Sequence, residues 1–189
     1  MRHVSVELAD VVATRHGVAA RHELLDDGWS RHRIEDAVSS GELVVCHPGV
    51  YRVRTSPSTF ESQCVAACLA DSSLIVTGRA AARLWEFRHV RYDGPPIVLT
   101  DHDRNPLSGQ VVIRRTNVLD QSDSVQRADG IVIATPVRTW FDCGRDVSDT
   151  NFEAITEWVL DRHASVPSMW SMVRRMSARG RPGLARVRR

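Results

Sequence analysis

The sequence predicts an α+β chain of 189 residues. Three observations carry this expectation. Short runs of helical period near the N-terminus give way at once to a run of period two. Beyond residue 58, helix-like and strand-like runs alternate. The composition, 42% hydrophobic and 25% charged, is that of a globular chain rather than a disordered one.

The elements follow in order. Residues 5–16 (SVELADVVATRH) read as a helix with Val6, Leu8 or Ala9, and Val12 inward, and Gly17-Val18 reads as a turn. A second short helix spans Ala20–Asp27 through Leu24 and Leu25, and Gly28 breaks it. The third runs from Ser30 to Ser40, with Ser30 able to cap it and Ile34, Ala37 and Val38 on one stripe. Gly41 stops it, and Leu43, Val45 and Tyr51, Val53 then alternate around His47-Pro48-Gly49 as a hairpin over 42–54. Three short helices and a two-stranded ribbon, with a short glycine-containing turn at Asp27-Gly28-Trp29, are the order of a winged helix-turn-helix over residues 1–54.

Thr55-Ser56-Pro57-Ser58 reads as a linker into a mixed α/β domain over 58–189. Helices are expected at Phe60–Ala70, Arg79–Phe87, Pro136–Gly144 and Asn151–His163, and strands at Leu74–Thr77, Ile97–Thr100, Val111–Thr116 and Ile131–Ala134. A last amphipathic helix, Pro167–Arg179, carries Met169, Met172, Val173 and Met176 on one stripe, read as core.

Composition excludes several chemistries. All 25 basic residues are arginine, so no P-loop lysine, Schiff-base lysine or carboxylate-plus-lysine nuclease centre can form. No GxSxG motif is present, and no other catalytic constellation is apparent, so the expectation is a non-enzyme without cofactor. Cys46, Cys64, Cys68 and Cys143 form no CxxC pair and read as buried apolar residues rather than zinc ligands. No run of about 18 apolar residues occurs, so the chain is expected to be cytoplasmic with no membrane partner.

Charge is unevenly placed. Residues 165–189 hold seven arginines (174, 175, 179, 181, 186, 188 and 189) and no acid, whereas the remainder holds 18 arginines against 23 acids. A basic end on a mildly acidic body suggests a polyanion or an acidic partner for that end, or else a solubilising end or the start of a linker. Double-stranded DNA is the partner that the winged helix-turn-helix order points to. The DNA-facing set this reading predicts is Ser30, Arg31, His32, Arg33 and Asp36 on the third helix, His47, Arg52 and Arg54 on the hairpin, and Arg174, Arg175, Arg179 and Arg181 on the basic end. Within residues 1–54, seven arginines meet eight acids, and Ile34-Glu35-Asp36-Ala37 puts two of those acids in the middle of the third helix. That weakens phosphate attraction. Histidines 3, 16, 22, 32 and 47 also lie here and read as surface residues.

The run "ATRHGVAARHELLDDGWSRHRIEDAVSSGELVVCHPGVYRV" resembles the N-terminal winged domain of AbiEi-type antitoxins of type IV toxin–antitoxin systems. "VTGRAAARLWEF" (76–87), "GIVIATPVRTWFDCG" (130–144) and "GRPGLARVRR" (180–189) resemble further blocks of that family in its actinobacterial form. Many such relatives continue into a domain similar to very-short-patch-repair endonucleases, and the resemblance here covers the part preceding it. It implies a DNA-binding transcriptional regulator that represses its own operon, with the second domain serving antitoxicity. It also implies a nucleotidyltransferase-like toxin as functional partner, countered without a stable complex. The alternative expectation is a non-catalytic protein-interaction module, or a remnant of a nuclease fusion, with weak DNA binding.

Overall fold

The computed structural model describes residues 6–103, 107, 111–177 and 187. It is an α+β structure, with eight α-helices and two sheets among those residues. Two compact units divide the chain. The first comprises Met1–Leu74 with Arg104–Val111 and Gln126–Ile131, and the second takes the rest.

In the first unit, α1 (Val6–Thr14) is followed by β1 (Val18–Ala20), α2 (Arg21–Asp26), α3 (Arg31–Ser39), β2 (Leu43–His47), β3 (Val50–Val53) and α4 (Phe60–Ala70). The strand β1 falls where a turn and the start of a helix were expected. Its three residues are all buried and pair antiparallel with Val50–Arg52, so β3 is the central strand of a three-stranded sheet. A three-residue strand buried throughout has no alternation to read, which is why its sequence gave no strand signal. The α2 start is closed from within: the Glu23 carboxylate accepts the Ala20 N–H at 2.8 Å. Ser30 does the same for α3, its hydroxyl accepting Arg33 N–H at 3.1 Å. Ala19, Leu24, Trp29, Ile34, Ala37, Leu43 and Tyr51 form the core between these elements.

Gly49 sits at the hairpin tip with φ +75°, a left-handed conformation that glycine adopts without a Cβ penalty. One residue earlier in the ladder the register shifts: Val45 opposes Tyr51, but His47 opposes Val50, leaving Cys46 as a bulge. An extra residue reverses the side on which the following side chain projects. His47 therefore turns away from the face of exposed Val45 and is buried.

The unit does not end at the expected linker. Helix α4 packs against β1, β2 and β3, so the compact body continues to Leu74 rather than stopping near residues 54–58. The returning segment 126–131 is held by Asp129, which pairs with Arg127 and meets His16 Nε2 at 3.4 Å.

The second unit contains β4 (Ile75–Val76), α5 (Gly78–Leu84), β5 (Ile97–Thr100), β6 (Val112–Arg115), β7 (Ser124–Gln126, of which Gln126 belongs to the first unit), β8 (Val132–Ala134), α6 (Pro136–Cys143), α7 (Asp149–Arg162) and α8 (Val166–Arg175). The sheet order is β6-β5-β4-β8-β7, with β4 antiparallel to β5 and parallel to β8, and β5 parallel to β6. The strand β7 was not expected, for its residues Ser-Val-Gln carry a single apolar side chain. Helix α5 ends at Leu84, before the expected Phe87, because Glu86 turns into the left-handed region at φ 56°.

Helices α6, α7 and α8 enclose a core of Trp140, Phe141, Phe152, Ile155, Val159 and the α8 stripe Met169, Met172, Val173 and Met176. That stripe is buried as its spacing predicts. Cys64, Cys68 and Cys143 are buried. For Cys143, burial and then the carboxylates of Asp142 and Asp146 push the thiol far above its usual range, so it stays protonated. Among the described residues no helix is long and apolar enough to cross a membrane.

Candidate nucleic-acid interface

The first turn of α3 places three predicted residues differently. Arg31 and His32 are exposed, whereas Arg33 sits over the Trp29 ring, its guanidinium carbon 3.7 Å from the ring centroid. Trp29 is buried directly ahead of the Ser30 cap, so one aromatic residue both fills the core between α2 and α3 and braces an arginine beside the helix start. Ser30 spends its hydroxyl oxygen on the cap, and Asp36 stays exposed 3.6 Å from His32, one turn away. Glu35 lies 3.6 Å from Arg21, which also donates to the Tyr51 hydroxyl at 3.4 Å. Glu35 thus faces a local cation, and Asp36 an imidazole. Surface pairs of this kind contribute at most about 1 kcal/mol, but they reduce the negative field of the helix.

On the hairpin the expected set divides. Arg54 is exposed and donates to the Gly41 carbonyl at 3.4 Å. Arg52 was expected to reach phosphate, but the residue is half-buried and its guanidinium donates to the carbonyls of Val53 (3.3 Å) and Ser56, fastening the chain that leaves β3. His47 was expected at the same surface and is 5% exposed, turned inward by the Cys46 bulge. The nearby Cys46 thiol is raised by burial, against a lowering by the Arg52 charge.

At the basic end, Arg174 is exposed on α8. Arg175 keeps part of its side chain in solvent, but both of its terminal nitrogens donate to the buried carboxylate of Asp123. Arg179 and Arg181 lie outside the described residues. Sequence reasoning missed Arg21 and Trp29. A tryptophan immediately before a capping serine, with an arginine four residues on, is the signal that could have found the second.

Asp123 belongs to a buried charge network that no motif announced. Arg138 and Asp123 are each about 1% exposed, 2.9 Å apart. The Arg138 Nε also donates to Asp142 at 2.9 Å, and Asp142 accepts the Thr77 hydroxyl at 2.6 Å. The Val118 carbonyl takes a further Arg138 N–H at 3.2 Å. Burial alone would raise the Asp123 pKa, but hydrogen bonds from Arg175 and from Asp120 N–H, with the charges of Arg138 and Arg175, outweigh it and hold the carboxyl below its ordinary value. A carboxyl depressed in the folded state adds stability above its unfolded pKa of about 3.9, and that contribution is lost as pH falls through the lower folded value. Asp129 is shifted in the same direction, its burial overcome chiefly by Arg127. Thermal midpoints are therefore expected to decline steeply only below about pH 4. A midpoint that falls mainly between about pH 7 and pH 5 would contradict this assignment.

No family model matches the chain, and no curated protein does. Among solved structures, the crystal structure of the RV2827C protein from Mycobacterium tuberculosis is similar, with a TM-score of 0.50 at 16% sequence identity over 99% of this chain and 81% of that one. At that identity the likeness is one of fold.

Proposed function

We propose that the first unit is a winged helix-turn-helix and that the chain is a DNA-binding transcriptional regulator of the AbiEi antitoxin kind, acting in the cytoplasm on its own promoter. The observation that carries the reading is the first turn of α3, where exposed Arg31 and His32 stand beside Arg33 braced on Trp29. In a helix-turn-helix, that end of the second helix meets base edges in the major groove, and arginine is suited to the paired acceptors of guanine. The β2–β3 hairpin follows directly, in the position of a wing, and carries exposed Arg54 for backbone phosphate. A nucleotidyltransferase-like toxin is the functional partner this reading implies.

The reading head is smaller than the sequence suggested, because Arg52 and His47 are engaged within the fold. This favours a second reading, a non-catalytic interaction module with weak DNA binding, since α3 exposes Glu35 and Asp36 as well as cations. The two separate in gel-shift titrations on the upstream promoter. Arg33→Ala is expected to relax base preference at a cost of about 1–3 kcal/mol, while Arg54→Ala weakens all sequences alike. Unchanged affinity in both variants would favour the interaction module.

A further inference from the structure

The second unit contains a cleft of about 390 Å³ whose lining includes Arg79, His89, Arg91, Asp146, Ser148 and Asn151. Three independent features converge on it. First, its charge is basic: among the described lining residues the one carboxylate, Asp146, is already engaged by Arg114 and Arg145, against the two guanidinium groups of Arg79 and Arg91. Second, guanidinium groups here are incompletely used. Arg79 Nη2 donates to the Arg91 carbonyl at 2.6 Å, but its Nε is buried with no partner among the described residues. The same holds for Nη1 of Arg114, whose guanidinium holds the lining residue Asp146. Buried donors of this kind are rarely left unmet in native proteins. Third, the wall is shaped by unusual backbone. Glu86 and His89, neither of them glycine, hold φ of 56° and 64° in the loop that carries Arg91. Gly78, at φ +57°, has Arg114 Nη1 2.7 Å from where a Cβ would sit, so a side chain there would be strained in its backbone and would shift the end of that arginine.

The opposite wall is the start of α7, where Ser148 caps the helix by accepting Asn151 N–H at 3.3 Å. The positive end of a fourteen-residue helix therefore faces the same space as the arginines.

We propose that this cleft binds a phosphate group, either as the free ion or as the ester of a small polar molecule. Arginine's planar fork matches phosphate oxygens in pairs, and two arginines with a helix N-terminus suit a dianion better than a single carboxylate. The polar lining and the volume, within the range of small-molecule sites, suit a sugar phosphate rather than an apolar ligand. A convex duplex backbone would not enter a concave cleft of this size, so the site suits a small ligand rather than DNA.

Isothermal titration calorimetry of the full chain tests it, with inorganic phosphate, ribose 5-phosphate and unphosphorylated ribose as probes. Phosphate-bearing probes are expected to bind and ribose is not. Tighter binding of ribose 5-phosphate assigns the site to an ester, and equal binding assigns it to the free ion. Arg79→Gln and Arg91→Gln are each expected to weaken binding at least tenfold, roughly the loss of one charge-assisted pair. Arg91 is exposed, so its variant keeps the fold and isolates the ligand effect. Absence of heat with both phosphate probes, or wild-type affinity in Arg91→Gln, overturns the proposal.

Discussion

Replacing Arg138 with alanine is expected to destabilise the second unit by about 3–5 kcal/mol, the range for removing one partner of a buried ion pair. The guanidinium lies between two carboxylates, Asp123 and Asp142, and satisfies the Val118 carbonyl besides. Its removal leaves Asp142 with the Thr77 hydroxyl, and leaves Asp123 with the Asp120 N–H and with Arg175, which reaches it from α8. Arg138→Met restores most of the volume without the charge. It should therefore rescue little of the loss, and urea denaturation of the two variants gives the comparison. Rescue to within about 1 kcal/mol of wild type would mean that packing, rather than charge, is what Arg138 supplies.

Trp29→Ala is the second large effect, expected at about 3–5 kcal/mol for a large aromatic truncated in a core. Trp29 is 5% exposed and packs with Leu24, Ile34 and Tyr51 around the α2–α3 elbow. Its indole N–H is buried with no hydrogen-bond partner among the described residues, so Trp29→Phe should be far milder, within about 1.5 kcal/mol of wild type. The phenylalanine still offers Arg33 a ring face. On the DNA-reading account, Trp29→Phe keeps base preference, whereas Trp29→Ala at a temperature where it remains folded loses it together with the arginine's support. Equal base preference in the two variants would separate Arg33 from recognition.

Much of this architecture was legible because it is written in local signals. Ser30, Ile34 and Ala37 mark α3 through a cap and a stripe, and Gly49 marks the hairpin through its turn chemistry. What escaped has non-local causes. The strand β1 exists because Val18–Ala20 find a partner in β3, some thirty residues on. His47 was misplaced because the bulge at Cys46 depends on how β2 seats against β3, and a count by twos cannot register an extra residue. Arg52 and Arg175 looked like free cations because sequence shows charge without showing what it meets. One meets the backbone of Val53 and Ser56, and the other meets Asp123, 52 residues away. The Arg138–Asp142 pair was visible as a spacing of four on a helix, but Asp123, which makes the network buried and complete, comes from a separate segment. The candidate site was therefore readable as a helix and a hairpin, and unreadable as a set of available donors.

The most direct test of the central claim is the affinity of the unmodified chain for the duplex upstream of its own gene, measured against a scrambled duplex of equal length at one fixed salt concentration. A sequence-reading head on α3 predicts a preference of about 10³-fold or more for the upstream duplex. Equal affinity for the two duplexes, with both titrations shifting alike as salt is raised, would contradict it and leave only non-specific attraction between arginine and phosphate.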